Sequence, residues 1–264
     1  MIAIALSGLA VGLILALTGA GGGVLAVPLL VYGAGMSMVQ AGPVALVAVG
    51  LGAAASAVLG LRDCTVRYRA ALLIAGCGIL LAPLGLWSAK QVGSRWLSAL
   101  FALILLHVAR NSWRRGAGWQ PAAGRQPACR RDPATGRLRW TSRCARELSV
   151  SGGLAGLLSG LLGVGGGFVV VPALLRATDL PVASIVATSL SVVALVSLSG
   201  VAAGVASGAV AWQLVLPFCA GTLAGMFAGR TLAGRLPEST IHKAFAALAA
   251  LTAAAMLAGA LLYT

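Results

Sequence analysis

Two glycine clusters constrain this chain more than any other feature. Gly19-Ala20-Gly21-Gly22-Gly23 interrupts an apolar run that extends from Met1 to Tyr32, and Gly163-Val164-Gly165-Gly166-Gly167 interrupts a second one. Each glycine costs a helix interior about 1 kcal/mol relative to alanine. In a bilayer a broken ladder costs more, because freed backbone groups find no water. Such breaks persist only where they are buried in protein or line a cavity. Pro28 and Pro172 each follow their cluster by five residues. The two breaks therefore share a pattern as well as a composition.

The surroundings of the breaks are those of a membrane protein. Of 264 residues, 59% are hydrophobic and 9% charged, with a mean hydropathy of +0.99. Globular domains carry about 25% charged residues. A membrane span needs about 20 apolar residues. Apolar runs near 2–31, 40–61, 70–89, 96–109, 148–175, 182–206, 210–229 and 241–263 give eight segments. No basic region precedes the first run, so it reads as a retained segment rather than a cleaved signal.

The net charge of +14 would suggest nucleic acid in a soluble chain. Here ten arginines fall between Arg110 and Arg146 and the other basic residues flank spans. That is the pattern of a positive-inside topology signal, and no nucleic-acid partner is expected. Cys77 and Cys219 fall mid-span as small apolar fillers. Cys129 and Cys144 fall in the basic stretch. Two thiols are too few for structural zinc, and an odd total of five cysteines suggests no disulfide framework. Neither a metal nor a cofactor is expected.

Sliding the second half back by 144 residues pairs Gly19 with Gly163 and Pro28 with Pro172. The same frame, without a gap, pairs Gly12 with Gly156, Gly60 with Gly204, Gly85 with Gly229 and Phe101 with Phe245. This is a duplication. One repeat covers 1–109 and the other 148–264, joined by a basic loop over 110–147 that lacks helical periodicity. If each broken segment returns to the face it entered from, each half has three crossings and the halves are inverted. Arg62, Arg67, Arg69, Arg176, Arg230, Arg235 and Lys243 then join the basic loop inside, and only Lys90 and Arg95 fall outside. If the broken segments cross, the split is worse. The expected fold is an all-α polytopic membrane protein of two inverted, pseudo-symmetric four-segment repeats, each opening with a glycine-broken or re-entrant helix. Trp87 and Trp96 bracket the short outer loop, as an interfacial aromatic belt would.

A broken helix presents unpaired N–H groups at the start of its second arm, a positive dipole end suited to an anion. Glycine lets a ligand approach that backbone without a Cβ in the way. Gly19, Gly21, Gly22 and Gly23 would form one such end and Gly163, Gly165, Gly166 and Gly167 the other. The bland alternative is that these glycines serve close helix packing alone.

The stretches Gly12–Leu30 and Gly156–Leu175, with Ala187-Thr188-Ser189-Leu190 after the second, resemble the two signature stretches of the TauE/SafE sulfite exporter family. The resemblance covers both membrane halves and leaves out 110–147. It implies a bacterial inner-membrane carrier exporting sulfite, thiosulfate or sulfonates; some relatives handle other small organic anions, and the positive-inside pattern makes 110–147 cytoplasmic. Thr188 and Ser189 are the best side-chain ligands, although either could instead bond back to a carbonyl one turn earlier. The first half has Pro43-Val44-Ala45-Leu46 at that place, so hydroxyls come from one side only. Gln40 could reach the first hairpin, and Thr18 and Ser159 flank the breaks.

No carboxylate falls mid-span to mark a proton or sodium relay. Competing readings are an anion channel and, remotely, an intramembrane serine protease built on Ser159 and His107. A P-loop fails because no Lys-Ser or Lys-Thr follows either cluster. A transporter, not an enzyme, is the expectation.

Overall fold

The computed structural model describes residues 2–19, 21–36, 38–91, 94–118, 128–129, 140–206, 212–233 and 237–262. Among them are ten α-helices and no strand. They are α1 (Ile2–Thr18), α2 (Gly21–Ala34), α3 (Met38–Arg62), α4 (Tyr68–Gln91), α5 (Ser94–Gly116), α6 (Ser142–Leu162), α7 (Gly167–Ala177), α8 (Val182–Ala206), α9 (Trp212–Ala233) and α10 (Glu238–Leu262). Eight apolar segments become ten helices because both glycine clusters break their segment in two. Among the described residues five helices are long and apolar enough to cross a membrane: Gln40–Arg62, Tyr68–Ala89, Val182–Ala202, Trp212–Leu232 and Ser239–Ala258. Arg114 and Arg115 in the last turn of α5 lower its hydropathy.

The breaks are conformational as well as compositional. Gly163 closes α6 at φ 69°, with its N–H on the Ser159 carbonyl at 2.8 Å. Gly165 and Gly166 follow at φ 76° and 68°. Three left-handed residues in four are cheap only for glycine. Gly19 ends α1 at φ 73°, its N–H on the Leu15 carbonyl at 2.9 Å.

Small residues set the main contacts. A Cβ on Gly8, Gly12, Gly221 or Gly225 would collide with backbone across the α1–α9 contact, and one on Gly152, Gly156, Gly160 or Gly85 would do so across α4–α6. This is the close backbone approach that replaces hydrophobic drive between helices in lipid. The two contacts match residue for residue in the frame of 144. Gly12 faces Thr222 and Gly156 faces Gly78, while Gly229 faces Leu13 and Gly85 faces Leu157. Hence α1 pairs with α9 and α6 with α4, each in parallel. The α3–α8 pair is antiparallel, Gly50 meeting Ser197 and Gly60 meeting Ala187. So is α5–α10, where Ser112 meets His242 and Gly116 meets Ser239.

These directions gather one end of α3 to α10 on a common basic side. Arg230 pairs with Asp63 there at 2.6 Å, and the Arg67 amide donates to Thr188 Oγ1 at 3.0 Å. The start of α6 and the end of α7 also lie together on that side. The Cys129 amide donates to the Ala177 carbonyl at 2.8 Å, and Cys129 forms a disulfide with Cys144. In the other hairpin, Tyr32 near the end of α2 donates to the Ala255 carbonyl on the far part of α10.

Two expectations are corrected here. The stretch 110–147 is not wholly loop: α5 continues to Gly116 and α6 begins at Ser142. The arginines of 110–116 sit on the polar end of an amphipathic helix that apolar counting stops too early. Residues 119–127 and 130–139 lie outside the described residues. The disulfide was also not expected, since sequence counting cannot see that Thr141 caps α6 and accepts the Cys144 amide at 3.1 Å. That cap turns Cys144 inward, where Cys129 meets it and both are fully buried.

Candidate functional site

The two breaks meet inside the bundle. A Cβ on Gly23 would stand 2.6 Å from the Val164 carbonyl oxygen, so the start of α2 passes directly over the second break. Each break also rests on the long helix that follows the hairpin of the other half. Gly19 lies against Val186 of α8, and Gly163 against Gly42 of α3, again equivalent positions in the frame of 144. Gly19, Gly22, Gly23, Gly165, Gly166 and Gly167 are all buried. Gly21 opens α2, and Ala20 lies outside the described residues. Not every glycine is there for a ligand. Gly22 packs on Val11 and Leu15 of its own hairpin, and Gly166 packs on Ala155.

At the second break, α7 starts from Gly166 with no side-chain cap. The Val169 and Val170 amides both turn to the Gly166 carbonyl, at 3.1 and 3.4 Å. No hydrogen bond joins the amides of Gly165, Gly166, Gly167 or Phe168 to an acceptor among the described residues. Beside them stands Ser197 of α8, 1% exposed, its Oγ without a partner among the described residues. A Cβ on Gly165 would lie 3.2 Å from that oxygen. A buried donor normally has a partner. Unpaired amides and an unpaired hydroxyl, side by side, form a donor set for an acceptor-rich ligand. Ser197 was missed in the sequence because serine is common in membrane helices and Ala53 takes its place in the first half.

The expected hydroxyls play different parts. Ser189 is fully buried and donates to the Gly19 carbonyl at 3.0 Å, with the Val186 carbonyl at the same distance. Its proton is used to hold the first break against α8, so it positions the break instead of donating to a ligand. Thr188, also fully buried, accepts the Arg67 amide, which leaves its own proton to give. Gln40 is exposed on the first turn of α3, away from that buried set. Thr18 donates back to the Ile14 carbonyl at 2.7 Å. Pro28 and Pro172 both lie inside their helices, each depriving the carbonyl four residues earlier of its usual donor.

A cavity of about 710 Å³ opens from the basic side and runs in to Thr18 and Phe168 at the breaks. Arg115, Arg146 and Arg176 line it with His107 and His242; Glu147 is its acidic lining residue and stands 3.7 Å from Arg143. Burial, and secondarily the nearby Arg176 guanidinium, push the Arg115 guanidinium below its usual range. Three arginines facing one half-enclosed space raise the local concentration of anions. His107 is exposed and Ser159 buried, with no hydrogen bond between them among the described residues, so no nucleophile–base pair is formed. No cluster of metal-ligating side chains occurs among the described residues.

With this geometry in view, comparison with known proteins is decisive. The model of the family described as sulfite exporter TauE/SafE matches residues 4–256. The chain belongs to the TauE/SafE family. Two similar proteins come from strains of Xylella fastidiosa, each named a probable membrane transporter protein. They are 33% and 31% identical to this chain over 234 residues, covering 88% of it and 85% of each relative. No solved structure matches the chain. A multi-pass membrane transporter of this family is therefore what the chain is, and the match spans the breaks and the cavity alike.

Proposed function

We propose that this TauE/SafE protein is a secondary transporter that exports a small sulfur-containing anion, of the sulfite, thiosulfate or sulfonate class, across the bacterial inner membrane. The observation that carries the reading is the donor set at the second break. The amides of 165–168, without acceptors among the described residues, and the positive end of α7 lie next to the Gly165–Ser197 contact, and with the buried Ser197 hydroxyl they would satisfy several acceptor oxygens together. Thr188, on α8 of the same half, and the first break, from the other half, would complete the site.

The basic side is cytoplasmic in this reading. Arg62, Arg67, Arg69, Arg176, Arg230 and Lys243 border it, whereas Lys90 and Arg95 stand at the far ends of α4 and α5. The halves are then inverted, the relation between α1–α9 and α6–α4 supporting this, with boundaries near 1–109 and 148–264. The anion enters by the arginine-lined cavity, reaches the breaks, and leaves when the two hairpins rock against α3 and α8. The membrane potential, negative inside, favours anion exit.

The test is flux of labelled sulfite, thiosulfate and a short sulfonate in proteoliposomes of the purified protein. Saturable flux of at least one, competed by the others and reduced by Ser197→Ala, is the expected result. Non-saturable flux would make the protein a channel. No flux of any of them would remove this substrate class.

A further inference from the structure

A second cavity, of about 450 Å³, lies on the flank of the bundle between α3, α4 and α8. It is lined along α3 from Leu46 to Leu61. That is a length of roughly 22 Å at 1.5 Å per residue, more than half of a hydrocarbon core about 30 Å thick. Its walls are almost wholly apolar, and Val58, Leu61, Leu72 and Leu198 on them are exposed, so it opens sideways towards lipid.

Its basic-side end is different. Val66 and Tyr68 form that end of the lining, and Arg67 stands between them with its Nε buried and without a partner among the described residues. Arg62 follows Leu61, and the Arg69 guanidinium lies 6.0 Å from the Tyr68 ring. Asp63, between them in sequence, is already paired to Arg230. The groove is thus an apolar slot capped by arginines.

We propose that this groove holds one acyl chain of an anionic phospholipid, whose phosphate is gripped by Arg67 with Arg62 and Arg69 beside it. A detached apolar chain would leave the arginines unanswered, and a soluble anion would leave the slot unfilled. A lipid with a net negative headgroup satisfies both ends, and basic pockets between membrane helices on the cytoplasmic side suit such headgroups. The Arg67 amide is bonded to Thr188 beside the first break. A lipid seated there therefore steadies the α4–α8 contact next to the transport site.

The experiment is thermal unfolding of the detergent-purified full chain, titrated with phosphatidylglycerol or with phosphatidylcholine of the same acyl composition. Phosphatidylglycerol should raise the unfolding temperature saturably and phosphatidylcholine should not. Arg67→Gln should weaken the phosphatidylglycerol effect about fivefold in midpoint concentration, the equivalent of about 1 kcal/mol per basic residue. Val58→Trp, which fills the slot from an exposed position, should abolish the effect while leaving Arg67 in place. Should Arg67→Gln not fold, the Val58→Trp result decides. Equal stabilisation by the two lipids, or a phosphatidylglycerol effect unchanged by Val58→Trp, overturns the proposal. Ser197 also lines the inner wall of this groove, so the two sites adjoin, and the anion site is tested separately by flux.

Discussion

The Ser189 hydroxyl donates to the carbonyl of Gly19, 170 positions away in sequence, at 3.0 Å. One buried hydrogen bond thereby fixes the first break of the backbone to α8, the long helix that follows the hairpin of the second half. Removing it by Ser189→Ala leaves the Gly19 carbonyl short of a donor inside the bundle, a loss of about 1–3 kcal/mol. The expected result is a lower unfolding temperature together with slower flux, both largely rescued by Ser189→Thr, as measured on one purified preparation of each variant.

Ser197→Ala should behave in the opposite way on stability. The Ser197 hydroxyl has no partner among the described residues, so its removal costs the empty protein nothing and relieves a desolvated polar group. If it donates to a bound anion, affinity should fall by roughly tenfold, in line with about 1.5 kcal/mol for a hydrogen bond to a charged group. Unfolding curves with and without the transported anion separate the two effects. An unchanged ligand-induced shift would take Ser197 out of the site.

Gly165→Ala asks an L-residue to adopt φ 76° with its Cβ 3.2 Å from Ser197 Oγ and from Val193 Cγ1. A left-handed conformation costs about 1–2 kcal/mol for an L-residue, and the methyl group crowds the space assigned to the ligand. Transport should drop at least tenfold, on a transition-state cost of about 1.4 kcal/mol. Gly33→Ala is the control: among the described residues, nothing outside its own turn of helix lies within 4 Å of its Cβ position. Its flux should match the parent.

Arg115→Gln and Arg176→Gln should slow anion capture from the basic side. Long-range attraction is screened over about 8 Å at physiological ionic strength. The deficit should therefore be large at low salt and shrink as salt rises. A deficit independent of salt would mean that these side chains hold structure and not field.

The side on which the basic end lies can be checked through its cysteines. In the proposed orientation it lies in the cytoplasm, where disulfides are rare, yet Cys129 and Cys144 are joined. Both are fully buried, which shields the bond from cellular reductants. A cysteine introduced at exposed Arg143 should react with a membrane-impermeant maleimide only in inverted vesicles. Labelling in right-side-out cells would reverse the orientation and with it the direction of export.

Much of this was readable from the residues alone. Glycine carries its own conformational signature, so Gly19 and Gly163 announced the breaks, and the helix contacts at Gly12 and Gly156 recur at the offset of 144 read from the residues. Helix limits came close because apolar runs end where charges begin, and α8 over 182–206 agreed at both ends. Residues whose role depends on what faces them were not readable. Ser189 and Ser197 are alike in sequence, and only packing makes one a tether and the other an unpaired donor. Cys129 met Cys144 because a bridge to Thr178 brought it there.

The exchange of partners between α1–α9 and α6–α4 bears on how the chain is made. A ribosome releases α1 some two hundred residues before α9 exists, and its glycine-lined face must wait in the bilayer for that late arrival. Neither half is a module that matures alone. A nascent chain stopped after α8 would hold an orphaned first helix, and two separately expressed halves would become functional only by interlocking.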